Sequence, residues 1–239
     1  MGSRDINASV ACASFGAFVA AALLPSEPNE PPEDPLLLFS ALYALFIANI
    51  TAFNGDVARQ GAAHLMALAE KQGGKVPLMI AHRCMGSVLV VSGNFAEALL
   101  HHDQVIALYD PVEHRQLATR FGHDARVGAL FWRSLALWAL GYPEAGLAGA
   151  EQALCAARET GLAGTLMHAM HLTCRTQLIS GDYATAQVQS DELIGLAEEK
   201  GSVYYKATGM LWRASLLAFS NSKWRLLACL GLKFLVFMG

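Results

Sequence analysis

Five short breaks interrupt this otherwise apolar chain at near-regular intervals: AFNGDVA, VSGNFAEA, LGYPEAG, SGDYATA and FSNSKW. Anchored on Gly55, Gly93, Gly141, Gly181 and Asn221, they stand 38, 48, 40 and 40 residues apart. A period of that size accommodates two helices and two turns. It marks stacked helical hairpins, none of which can bury its apolar face without the next. Between the anchors apolar residues recur at three and four rather than two, so strands are set aside.

Register supports the same reading. Seven residues before the anchors stand Ala48, Gly86, Ser134, Cys174 and Ala214, all small. Five residues after the first four stand Gln60, Ala98, Gly146 and Ala186, and thirteen after stand Leu68, Ile106, Leu154 and Ile194. Small residues at fixed places let antiparallel helices approach closely, and an aliphatic residue seals the next hairpin onto them. The expected architecture is an all-α, right-handed α-solenoid of about five antiparallel hairpins, at 36–72, 76–110, 112–160, 162–200 and 203–237.

The flanks differ from this body. Residues 1–24 form an apolar leader whose head, MGSRDIN, lacks a basic n-region, so neither secretion nor a membrane anchor is expected. Residues 25–35, PSEPNEPPEDP, are acidic and proline-rich and read as a linker, since proline removes donors and blocks helix. The repeat domain is placed at 36–222. The tail at 223–239 is apolar almost all round, an end expected to drive self-association.

Charge and cysteine content narrow the partners. A net charge of −3 with scattered Lys and Arg offers no footprint for nucleic acid. Five Cys without a CxxC pair fit reduced thiols in a cytoplasmic protein.

A small residue, a turn glycine seven later and an alanine five beyond that resemble the core pattern of the tetratricopeptide family. The departures are longer helices, a mostly missing signature Trp and no closing Pro. HRCMGSVLVVSGNFAEALLHHDQVIALYD, together with the LYDPVEHRQLATRFGHDARVGALFWRSLALWALGYPEA that overlaps its end, is similar to the C-terminal repeat region of bacterial signalling proteins. Those proteins join a nucleotide-cyclase-like domain to an ATPase module. The resemblance implies a non-catalytic scaffold in bacterial signalling that grips a peptide or a neighbouring domain in a concave groove. The alternative it implies is a regulatory C-terminal fragment of such a cyclase–ATPase protein. Carried over by position, the groove candidates are Arg83, Phe131, Trp138, His168, His171 and Arg175. The paired Lys and Asn of that family's carboxylate clamp are absent.

The remaining chemical signals are weak. The strip from Leu108 to Ala145 holds His114, His123 and Asp124 but no Ser or Cys nucleophile, so its extra residues read as a structural insert after the Asp110–Pro111 helix stop. GGKV at Gly73–Val76 has Ala69 where a phosphate loop needs its first Gly and Val76 where it needs Ser or Thr. His168, His171 and Cys174 share a helical face, but structural zinc takes four ligands, so no metal is expected. No cofactor and no enzymatic activity are expected.

Overall fold

The computed structural model describes residues 36–220, and among these every regular element is helical. In order they are α1 (Leu37–Thr51), α2 (Gly55–Gln72), α3 (Lys75–Val91), α4 (Phe95–Leu108), α5 (Pro111–His114), a 3-10 turn (Arg115–Thr119), α6 (Ala125–Ala139), α7 (Pro143–Thr160), α8 (Ala163–Ser180), α9 (Tyr183–Glu199) and α10 (Val203–Ser220). The leader, the linker and the C-terminal tail lie outside the described residues. None of the described helices is long and apolar enough to cross a membrane.

Local chemistry sets the boundaries. Asp110 caps the single turn of α5 by accepting from the amides of Val112 and Glu113 at 2.8 and 3.3 Å, with Pro111 at the first helical position. Asp124 caps α6 by accepting from Val127 N at 3.0 Å. Between them, α5 and the 3-10 turn take up the extra residues of the longest interval.

The four turns within successive pairs share one geometry. Asn54, Asn94, Tyr142 and Asp182 donate their amides to the carbonyls of Asn49, Leu89, Leu137 and Gln177 at 2.8–3.0 Å, the long-range bond of a Schellman cap. The residue before each has positive φ: Phe53 at 61°, Gly93 at 82°, Gly141 at 92° and Gly181 at 81°. This shifts the first anchor. Phe53 occupies the left-handed position, while Gly55 is the first residue of α2. Measured from Phe53, the first interval is 40 residues, the same as the later regular ones.

The shift also reassigns the first pair's packing residues. Phe46 replaces Ala48 as the equivalent of Gly86, and Ala58 replaces Gln60 as the equivalent of Ala98. Phe46 and Ala58 are buried, whereas Ala48 is half-buried and Gln60 is exposed. In later pairs the small sites lie where helices meet. A Cβ on Gly146 would stand 2.9 Å from the Ser134 carbonyl, and Cys174 Sγ lies 3.5 Å from Ala186 O. Ala214 is exposed on α10, whose inward face presents Trp212, Leu216 and Phe219 instead.

Apart from the single turn of α5, each described helix packs on the helices before and after it. In addition, α1, α3, α6, α8 and α10 pack on one another in that order, forming a continuous inner row. The second helices α2, α4, α7 and α9 lie against this row. The apolar interior follows it as three clusters, centred on Phe39, Leu65 and Ile80, on Leu89, Phe131 and Ala153, and on Met170, Leu193 and Trp212.

Candidate functional site

The inner row borders an open-sided cavity of about 670 Å³. Its walls come from both ends and the middle of the described chain: Tyr43, Phe46 and Phe53 from α1 and its turn, Arg83 and Ser87 from α3, His123 from the loop before α6, Trp132 from α6, His168, His171 and Arg175 from α8, and Tyr204 and Tyr205 from α10. A cavity of this size with aromatic walls and a few convergent polar groups is the ordinary form of a ligand site.

Two guanidinium groups dominate it. Arg83 is 3% exposed, with its Cζ 5.0 Å from the Tyr43 ring centre. Its Nη1 donates to the His123 carbonyl at 3.4 Å, and Nη2 donates to His123 Nε2. Arg175 is 6% exposed and rests on two rings, 5.2 Å from the centre of Phe131 and 5.5 Å from that of Trp132. Its Nε and Nη2 have no hydrogen-bond partner, and neither does the buried hydroxyl of Tyr43. Among the described residues, no Asp or Glu lines the cavity.

The histidines contribute rings rather than charge. Burial first, and then the positive charge of Arg83, hold His123 well below the usual imidazole range. His168 is lowered in the same way, by burial and then by its neighbour His171. His171 falls to about 4 through burial and the charge of Arg175. All three rings are half-buried where they line the cavity. The Trp212 indole donates to His171 Nδ1 at 3.0 Å, leaving the neutral ring's proton on Nε2. Burial lowers Arg175 only to about 10, so its guanidinium stays charged at neutral pH.

Four of the six groove residues predicted from sequence meet here: Arg83, His168, His171 and Arg175. The other two lie elsewhere. Phe131 is fully buried beneath Arg175, as its support rather than as wall. Trp138 sits near the end of α6 with its Cβ 2.9 Å from where a Cβ on Gly146 would stand, in the seam with α7. Sequence reasoning missed Tyr43, His123, Trp132, Tyr204 and Tyr205.

The strip between Leu108 and Ala145 serves as scaffold for the cavity. The Tyr109 hydroxyl donates to the Asp124 carboxylate, Asp124 N donates to Thr165 Oγ1 at 3.1 Å, and His114 Nδ1 accepts from Asp110 N at 2.9 Å. These bonds lock the loop that carries His123 inward. Lys75, the third residue of the GGKV stretch, is exposed at the start of α3. Of the three residues sharing a face on α8, His168 and His171 enter the cavity while Cys174 turns into the seam with α9. Compared with protein-family models and with curated proteins, the chain matches none.

Proposed function

We propose that this protein is a non-catalytic binding scaffold, a tetratricopeptide-like right-handed array of about five hairpins. In this reading it grips an extended segment of a partner protein, in a cytoplasmic signalling or regulatory setting. The observation that carries it is the cavity on the shared face of α1, α3, α6, α8 and α10, to which the first helix of every successive pair contributes side chains. A surface assembled that way suits a ligand that also runs from repeat to repeat. Tyr and Trp walls supply large contact area at small cost in side-chain freedom, as at protein interfaces.

Selection from a library of short random peptides tests it. Enriched peptides should compete with one another, quench or shift tryptophan fluorescence, and lose binding when Tyr204 and Tyr205 are both changed to Ala. Tyr204 is 61% exposed and Tyr205 is half-buried at the edge of the third cluster, so their truncation removes cavity wall and leaves the fully buried core residues in place. A library that yields no peptide sensitive to that change removes the reading.

A further inference from the structure

The cavity holds positive charge that nothing in the described protein neutralises. Leaving a guanidinium nine-tenths buried without a carboxylate is unfavourable, because the group loses water and gains no counter-charge. The aromatic faces under Arg83 and Arg175 offset part of that loss and fix the planes of both groups. They cannot satisfy the N–H donors, and Arg175 keeps Nε and Nη2 free. The surrounding polar inventory is also rich in donors: the Tyr43 hydroxyl is unpartnered, and His171 carries its proton on Nε2. The two guanidinium charges and these unpartnered donors together favour an acceptor with negative charge.

We infer that the cavity is a built carboxylate site, in which Arg175, with Arg83 and the Tyr43 hydroxyl alongside it, holds an acidic group carried on an apolar or aromatic body. This rests on the proposed function for its source: the carboxylate is that of an acidic side chain in the partner segment. The planar fork of a guanidinium matches the two oxygens of a carboxylate, and such charge-assisted pairs are short and strong. Tyr204, Tyr205 and Trp132 then pack the body of the ligand. Thr, Asn or Gln in place of Arg175 would bury less charge; a buried guanidinium that costs stability fits a binding role.

Phenylacetate and its neutral counterpart phenylacetamide probe the site directly, read by tryptophan fluorescence and by the shift in melting temperature. The acid should bind at least about tenfold more tightly than the amide, the difference one charge-assisted bond supplies. Ring-proton shifts of His168 and His171 on adding the acid should locate it in the cavity. Arg175→Leu should melt no lower than the parent and lose the response to phenylacetate. Equal binding of acid and amide, no binding of the acid, or an undiminished response in Arg175→Leu would overturn the inference; the acid–amide comparison and the histidine shifts stand even if that variant does not fold. Blocked peptides carrying one Glu between two aromatic residues, and their Gln counterparts, separate the sources. A Glu peptide that binds more tightly than phenylacetate and than its Gln twin supports both readings. Gln peptides that bind as well as Glu peptides keep the groove and refute the carboxylate site. Phenylacetate that binds while neither peptide does keeps the charge recognition, refutes the peptide source and refutes the proposed function with it.

Discussion

The ring of His102, on α4, rests against the bare backbone of Gly86, on α3: a Cβ added to Gly86 would stand 2.6 Å from His102 Cε1 and 2.7 Å from Nε2. Both residues are buried, and neither ring nitrogen of His102 has a partner in good hydrogen-bond geometry. Gly86→Ala therefore forces the two helices apart or the imidazole aside. We expect a loss of about 1–3 kcal/mol in chemical denaturation, with Gly86→Leu worse. Combining Gly86→Ala with His102→Ala should recover part of that loss, because the second change vacates the space the new methyl needs. Losses that simply add would mean the contact does not limit the approach.

Acid should unfold the protein through its histidines. Burial draws His102 down to about 3 and His171 to about 4, and holds His123 and His168 well below their usual range. The unfolded chain takes up those protons near pH 6.5, whereas the folded chain resists until much lower pH. The stability they contribute is thus fully present above about pH 6.5 and is lost as pH falls towards 4 and 3. Urea denaturation at several pH values across that window should show a steep decline. His102→Leu should make it shallower, and an unchanged slope in that variant would show that His102 titrates normally in the fold.

Phe53 bears a conformation that its counterparts assign to glycine. A left-handed L-residue costs about 1–2 kcal/mol, and glycine's extra freedom in the unfolded chain returns roughly 0.5–1 of that. Phe53→Gly should accordingly be more stable than Phe53→Ala by about 1 kcal/mol, a difference that thermal melts resolve. Since Phe53 is 62% exposed and lines the cavity, the same Gly variant should bind phenylacetate less well. Equal stability of the Gly and Ala variants would mean the backbone relaxes out of that region.

Asp124 joins three elements: it caps α6, accepts from Tyr109 and donates its amide to Thr165. Asp124→Ala should cost about 1–3 kcal/mol, the sum of a lost cap and an orphaned hydroxyl. Asp124→Asn keeps the cap and should lose less. Because His123 is the adjacent residue, the Ala variant should also lower affinity for phenylacetate. Full affinity in a folded Asp124→Ala protein would separate the loop from the site.

The helical content and most helix boundaries were legible in the sequence because turn glycines and small helix-contact residues are local signals with a strict spacing. The first anchor was misread for a physical reason: Phe53 and Asn54 precede Gly55, and a glycine attracts the turn assignment even where a bulky residue adopts positive φ. With Phe53 as anchor, Tyr43, Arg83 and His171 fall ten residues before their turns, and Ile47, Ser87 and Arg175 fall six before. All six line the cavity. That alignment would have added Tyr43. It would not have found His123, which arrives through the insert, or Tyr204 and Tyr205, which depend on how far the row of helices curves. Phe131 stands ten residues before Gly141 and still misses the wall, because Arg175 lies across it.

Tyr43 and Tyr205 meet at one cavity although they belong to the first and last of the described helices. Among the described residues almost all other packing passes between close neighbours along the chain, so within them the ends of the row are held near each other by little beyond the stiffness of the stack. An occupant touching both tyrosines would act as a clasp. It would close an elastic strip into a ring, so that a pull on either end would have to expel the guest before the strip could lengthen. Occupancy would then be read mechanically, as a change in how far this stretch of protein yields under load.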